Sequence, residues 1–345
     1  MKYQAEGHKA EFLGTVQTMG GFSIKADGKA FVALTSNLYT NQIGAMIREL
    51  STNAQDAHRD KDRKIGTKTQ CAIPFDIHLP TELEPYYFVR DYGTGLTFEQ
   101  MQKVYTVIFE STKDNSDDDT GCFGLGSKTP LSYNTRSFIV TSYQNGKERS
   151  YSAYFREDGI PDIAFQDERD TNEPDGLKVY VTARKEDIGS FIANAKIYLP
   201  HFQNPSANVL NPSFEFANEE EFLTGTNWRI LSESAQSSNY CLMGPVPYPI
   251  SLWNVNVDSS KEQTFNEVRG ILDNLKRKGF TVEFTVPMGN LTPQLSREEL
   301  YYDEKTCENL CNTVIAFKKE LIEKIQDRMS EVTEHDSYFK SAMEW

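Results

Sequence analysis

No run of apolar residues in the chain approaches the about 20 needed to cross a bilayer as a helix. The opening residues, MKYQAEGHKAEF, are too polar for a secretory leader, so a cytoplasmic setting is expected. Cysteine is scarce: Cys71, Cys122, Cys241, Cys307 and Cys311 are widely scattered and odd in number. That excludes a disulfide framework and points to reduced thiols. Cys307 and Cys311 stand four apart on a predicted helix, but no third or fourth ligand lies near, so they read as structural cysteines rather than a metal pair. Positive charge is in deficit, with 36 Lys and Arg against 50 Asp and Glu and a net charge of −14. This disfavours a protein built chiefly to grip nucleic-acid phosphate, although a net charge leaves room for a local basic groove. No repeat appears at solenoid periods.

Aromatic residues, by contrast, are plentiful: 21 Phe, 17 Tyr and 3 Trp argue for a folded chain. The 345 residues suit two domains better than one. Phe22–Ile24 and Phe31–Leu34 look like short strands. A helix is predicted from about Asn37 to about Arg59 with Ser36 as N-cap, because Ile43, Met46, Ile47, Leu50, Ala54 and Ala57 recur at helical steps. Strands are predicted at Phe75–Leu79 and Tyr87–Val89, and a helix near Thr97–Phe109. Residues 110–128 form a long polar, acidic and then glycine-containing loop. Ser137–Tyr143 and Arg149–Phe155, joined through Asn145-Gly146, read as a β-hairpin, and Leu177–Thr182 as a further strand. The class is α+β. The Pro- and Asn-rich stretch Pro200–Pro212 places a domain boundary near 200, giving domains 1–200 and 201–345. The second holds a strand at Tyr240–Met243, a helix at Thr264–Lys278, a strand at Thr281–Val286 and a long closing helix at Glu304–Val332.

Three segments carry chemistry. In RELSTNAQDAH, Glu49, Asn53 and Asp56 fall within about 60° of one another round the helix, away from the Ile43, Ile47, Leu50 and Ala54 stripe. By itself such a face also reads as solvated. In DYGTGL, Asp91 ends a strand and Gly93 and Gly95 let a planar ligand approach the backbone; alone it is also a common turn. In GCFGLGSKTP, glycine-rich backbone enters a helix and supplies a row of N–H donors suited to phosphate; alone it is also a flexible linker. It matches neither the Walker A spacing nor a Rossmann fingerprint.

Together, in this order, the segments resemble the motifs of the GHKL ATPase superfamily of gyrase, the large heat-shock chaperones, histidine kinases and mismatch-repair MutL. RELSTNAQDAH resembles its N-box, DYGTGL its first glycine box, and GCFGLGSKTP the glycine box of its ATP lid, with Phe109–Lys113 similar to the motif that opens the lid. Leu38–Asn41, GLGSKTPLSY and the run Ser296–Glu298 before Leu300–Asp303 are more closely similar to the RIIA-type rapid-lysis proteins of tailed phages. The resemblance implies a Bergerat-type ATP-binding sandwich, a mixed sheet with helices on one face, over 1–200. Its ATP lid would span about 110–128. A smaller ribosomal-S5-like, transducer-type α+β domain would fill 201–345.

The resemblance also assigns roles. Glu49 would be the general base acting on water at the γ-phosphate. Asn53 would coordinate Mg²⁺ and Asp56 would support it. Asp91 would accept the adenine amino group, with Gly93 and Gly95 lining the base. Gly121, Gly124, Gly126 and Ser127 would wrap the phosphates, with Lys113 and Lys128 as charge partners. Arg297, on the transducer loop, would sense the γ-phosphate through its planar fork. The strand hydroxyl that helps many family members hold adenine is missing where Gly176-Leu177 stands, which leaves Thr141 or Thr182 as substitutes. Asp114, Asp117, Asp118 and Asp119 would repel a triphosphate unless the lid reorders on binding. The implied cofactors are ATP and Mg²⁺. The implied protein is a slow ATPase acting as a conformational switch on a host or phage partner in the infected cell, peripheral membrane contact and an ATP-dependent homodimer included. An ATP-gated DNA clamp and a non-hydrolysing inhibitor of a host factor are the alternative readings.

Overall fold

Buried residues two apart on five strands define one sheet face, and that face organises the first part of the chain. The computed structural model describes residues 28–35, 37–67, 69–106, 125–133 and 136–331. The chain divides into two units, the first ending at Phe216 and the second beginning at Ala217.

In chain order, the first unit holds α1 (Gly28–Thr35), α2 (Gln42–Ile65), β1 (Phe75–His78), β2 (Tyr86–Arg90) and α3 (Phe98–Thr106). A 3-10 turn (Gly126–Ser132) then leads to β3 (Ser137–Gln144), β4 (Lys147–Phe155), β5 (Pro161–Asp170), β6 (Gly176–Thr182), α4 (Ile188–Tyr198) and β7 (Ala207–Val209). The strands form one seven-stranded sheet in the order β5-β4-β3-β6-β2-β1-β7. All neighbours are antiparallel except β1 and β7, which run parallel with Phe75 opposite Ala207. Phe75 and Ile77, Tyr87 and Val89, Phe138 and Val140, Tyr151 and Ala153, and Val179 and Val181 point to the same side. They share a core with Met46, Ile47, Leu50 and Ala54 of α2 and Phe191 and Ala195 of α4. The opposite face carries an aromatic row, buried at His78 and half-buried beyond it: the His78 and Tyr86 rings stack at 4.4 Å, Tyr86 meets Tyr180 at 5.1 Å, and Lys178 Nζ sits 4.0 Å over Phe88.

Several expectations hold, and others are corrected. The hairpin forms as expected, with Asn145 at φ 53° and Gly146 at φ 74° in its two-residue turn. Helix α2 starts later than expected, because the Asn41 side chain accepts the Gly44 N–H at 2.9 Å and caps it. Ser36 lies outside the described residues, as do Phe22–Ile24. Phe31–Leu34 is helical in α1 rather than a strand; a short apolar run does not distinguish the two. Strand β5 escapes sequence reading because it is a largely exposed edge with no buried face to impose alternation. The first unit also runs past the expected boundary near 200, since the Pro- and Asn-rich stretch delivers β7 to the edge of the sheet.

The second unit contains β8 (Glu220–Thr224), β9 (Trp228–Glu233), β10 (Tyr240–Met243), β11 (Val246–Pro249), α5 (Glu262–Arg277), β12 (Thr281–Val286) and α6 (Glu304–Glu331). Its sheet has the order β11-β10-β12-β9-β8, with β10 and β12 parallel. Phe265, Val268 and Leu272 of α5, and Leu310, Val314, Phe317 and Leu321 of α6, are buried at helical spacing. Cys307 and Cys311 are buried on the same side of α6. Glu320 fixes α6 to the β8–β9 turn, accepting from Trp228 Nε1 at 2.8 Å and from Thr226 N at 3.0 Å. Among the described residues, no helix is long and apolar enough to cross a membrane.

The cap at Asn41 is bifunctional, since its amide nitrogen also donates to Asn194 Oδ1 of α4 at 2.7 Å. Asn41→Ala is expected to cost about 1–2 kcal/mol in denaturant unfolding, and Asn41→Ser, which keeps only the cap, about half of that. Equal stability of Asn41→Ala and the wild type would show that neither contact holds α2.

Candidate functional site

Helix α2 is buried on two sides, and the second side makes the site. The apolar stripe faces the sheet, as its spacing predicts. The polar stripe is not solvated: Glu49 is 5 % exposed and Asp56 fully buried. What covers it comes from the other two sequence segments. The 3-10 turn begins at Gly126, where an added Cβ would lie 2.8 Å from Glu49 Oε2 and 3.6 Å from Asn53 Nδ2. Glycine is therefore the residue that permits this approach. Thr129 Oγ1 donates to Gly126 O at 2.8 Å and Ser132 Oγ to Thr129 O at 2.7 Å, so the turn is internally braced. Lys128 is buried in it and Ser127 half-buried.

The DYGTGL loop reaches the same helix two turns further on. A Cβ at Gly93 would lie 2.9 Å from Ala57 Cβ, and at Gly95, where φ is 64°, it would overlap Tyr143 O. Glu49, Asn53 and Ala57 thus form a line of contacts four residues apart, about 12 Å long at 1.5 Å per residue. The Glu49 carboxylate and the Gly126 backbone stand at one end, and Asp91 with Gly93 at the other.

Asp91 is held by backbone. Its N–H donates to Leu177 O at 2.9 Å, and its Oδ1 accepts from Gly93 N at 2.9 Å and Leu177 N at 3.2 Å. No described residue donates to Oδ2. Burial pushes the carboxyl up to about 6, against the pull of those two N–H donors and of Arg90; desolvation wins because the group is almost wholly enclosed. The rest of the loop is laced to its surroundings. His58 Nε2 accepts the Tyr92 N–H at 2.8 Å and Lys61 Nζ donates to Tyr92 O at 2.9 Å. The Ser142 hydroxyl both accepts from Leu96 N and donates to Leu96 O, each at 2.8 Å.

The structure therefore brings Glu49, Asn53, Asp91, Gly93, Gly126 and Ser127 around one helix and sets Gly95 against Tyr143 and Gln144 of β3 instead. Asp56 lies beneath the line rather than on it, with Arg59 Nη1 at 4.0 Å. Gly176-Leu177 does stand beside Asp91, as the motif comparison suggests, but through the Leu177 amide. Neither substitute hydroxyl fits: Thr141 pairs across strands with Lys178 and bonds Ser150 on the other sheet face, and Thr182 is exposed opposite Tyr86. The hydroxyl on the correct face is Ser142, one residue away, and only the register reveals it. Likewise His58, Lys61 and Arg90 are positioned by tertiary contacts with no local sequence signature. Lys113, Gly121 and Gly124, the acidic run Asp114–Asp119 and most of the expected lid lie outside the described residues. Arg297 belongs to the second unit, where it is buried at φ 57° with Nε donating to Tyr248 Oη at 3.4 Å. Cys307 and Cys311 are core residues; Cys307 Sγ lies 3.6 Å from Tyr302 O, to which it donates.

The Asp91 shift has a sign that can be measured. Below the ordinary 3.8, folded and unfolded states both hold the proton. As pH rises through about 6 the folded carboxyl must ionise while buried, and the stability conferred by its raised pKa is lost. Against Asp91→Asn, the wild type is expected to lose about 3 kcal/mol between these limits, read from denaturant unfolding at several pH values. A difference independent of pH would show that Asp91 ionises normally. A scan against protein-family models finds no match for this chain, and neither does a search of curated proteins.

Proposed function

We propose that the first unit binds ATP with Mg²⁺ and hydrolyses it slowly as a GHKL-type ATPase, and that nucleotide-driven closure is its output. The observation that carries this reading is the convergence of three separate segments on one helix. An acid and an amide meet a glycine-backbone turn at one end, and about 12 Å along the helix, at Ala57, the Gly93 loop brings in a buried carboxylate to whose Oδ2 no described residue donates. That separation suits a ligand with a hydrogen-bonding base at one end and a polyphosphate at the other. In this reading the first unit is a Bergerat-type sandwich, and its seven-stranded mixed sheet with α2 and α4 on one face supports that. The second unit is read as the S5-like transducer.

The residues fit the implied groups. Asn53 is half-buried beside Glu49 and offers an amide oxygen, a ligand type suited to Mg²⁺. Among the described residues no group of three His, Cys, Asp or Glu side chains could hold a metal ion by itself. Mg²⁺ usually keeps several waters and takes one or two protein ligands beside substrate phosphates. Magnesium, when bound, neutralises phosphate charge. Glu49 would take the proton of the attacking water, Asp91 Oδ2 would accept the exocyclic amine of adenine, and the N–H groups about Gly126 and Ser127 would face phosphate oxygens.

A second reading rests on one contact. Arg48 Nε donates to Glu49 Oε1 at 3.0 Å in a buried pair. A carboxylate oxygen held by a neighbouring cation is less free to orient a water, which favours a switch that binds nucleotide without turning it over. In either case the closer resemblance to RIIA-type proteins makes the partner a host or phage protein in the infected bacterium, met in the cytoplasm or at the inner membrane surface.

Steady-state Mg²⁺-dependent ATP hydrolysis separates the readings. Glu49→Ala is expected to lower turnover at least about 100-fold while calorimetric ATP affinity stays within a few-fold. A wild type that binds ATP without turnover would select the non-hydrolysing switch, and one that binds no nucleotide would end both readings. A specific rate that rises with protein concentration is the expected sign of ATP-linked dimerisation.

A further inference from the structure

We propose that Arg90 is a positioning residue that fixes which oxygen of the Asp91 carboxylate meets the nucleobase, and so sets base selectivity. This rests on the nucleotide reading above.

Arg90 ends β2, one residue before Asp91, and is 6 % exposed. Its fork spans two carbonyls. Nη1 donates to Asp91 O, and Nη2 donates to Pro174 O at 2.5 Å in the loop that leads into β6. The guanidinium lies over the Tyr143 ring at 4.1 Å and the Tyr92 ring at 4.9 Å, which holds its plane. Gly176 completes the closure. A Cβ there would overlap both Asp91 O and Arg90 Nη1, and its φ of 147° is open to glycine. The Arg90 fork and Gly176 together draw the 174–176 segment onto the end of β2.

The consequence falls on Asp91. With that segment drawn in, Leu177 N–H reaches Asp91 Oδ1 and joins Gly93 N–H there. An aspartate has two side-chain torsions, and two donors on one oxygen select a single orientation, leaving Oδ2, to which no described residue donates, as the acceptor for the base. No neighbouring threonine hydroxyl shares the task, because Leu177 occupies that place. Base recognition then depends on the direction of one carboxylate, and hence on the clamp behind it. Phosphate contacts, at the far end of α2, do not depend on it.

The test compares ATP with inosine triphosphate, which presents a carbonyl in place of the 6-amino group, by calorimetric titration of the full chain. The wild type is expected to prefer ATP by about tenfold or more, the worth of a hydrogen bond to a charged acceptor. In Arg90→Leu the preference should fall to about threefold or less, with inosine triphosphate affinity nearly unchanged. Arg90→Lys, which keeps the charge and one donor, should fall between and serves if the leucine variant does not fold. Faster amide exchange at Leu177 should accompany the loss in both variants. A merely structural arginine would weaken the two nucleotides in parallel. Parallel weakening, or an unchanged preference in a folded variant, overturns the assignment alone. A wild type that binds neither nucleotide overturns the nucleotide reading and this assignment with it.

Discussion

Everything in the first unit depends on helix α2 being buried along two opposed sides. Its apolar stripe lies on the sheet core, and its polar stripe is covered by the Gly126 turn and the Asp91–Leu96 loop. An ordinary amphipathic helix leaves its charged side in water. Here acids and an amide are enclosed, and the cost of enclosing them is offset by near neighbours. Glu49 has Arg48, and Asp62 accepts from Cys71 N at 2.9 Å and Thr67 Oγ1 at 3.0 Å. Removing one member of such a pair leaves an uncompensated buried charge, which costs far more than the pair contributes.

Glycine makes that arrangement sterically available. At Gly93 an added Cβ would meet Ala57 Cβ and the Ala57 carbonyl of α2 as well as Asp91 Oδ1, and at Gly126 it would meet the Glu49 carboxylate, so a side chain at either place would disturb the contact with the helix. The helix ends under similar control. Gly66 at φ 69° returns its N–H to Asp62 O, which stops α2 and turns the chain towards β1. The same loops thus cover a buried polar face and would, in the proposed reading, frame the nucleotide.

The second unit shows the complementary case, a buried charge with no ligand role in prospect. Glu283, on the central strand β12, accepts from Arg229 Nε at 2.8 Å, from its Nη2 at 2.7 Å and from Tyr240 Oη at 2.7 Å. Arg229 also bonds Glu219 and Glu221, so the strands on either side of β9 are tied through one guanidinium. Every oxygen of Glu283 is accepted into that network. Asp91 differs: two backbone N–H groups donate to its Oδ1, and among the described residues none donates to Oδ2. Such one-sided satisfaction of a buried carboxylate is what the proposed nucleobase contact builds on.

Local chemistry alone determined a good part of this. The helical period of Met46, Ile47, Leu50 and Ala54, the Asn145-Gly146 turn, and the Tyr240–Met243 and Thr281–Val286 strands were legible because each depends on neighbours a few residues away. So was the grouping of Glu49, Asn53 and Asp56 on one side of a helix. Tertiary structure decided what that side faces: that Asp56 is sealed below, that Ser142 rather than Thr141 points to the glycine box, and that β7 returns to β1 beyond the expected boundary. It also decided the clamp of Arg90 on Pro174, which joins residues 84 positions apart. Periodicity reports which residues share a face. Only the packing of distant segments determines which atoms cover it, and hence which charges are buried and which donors each buried oxygen receives.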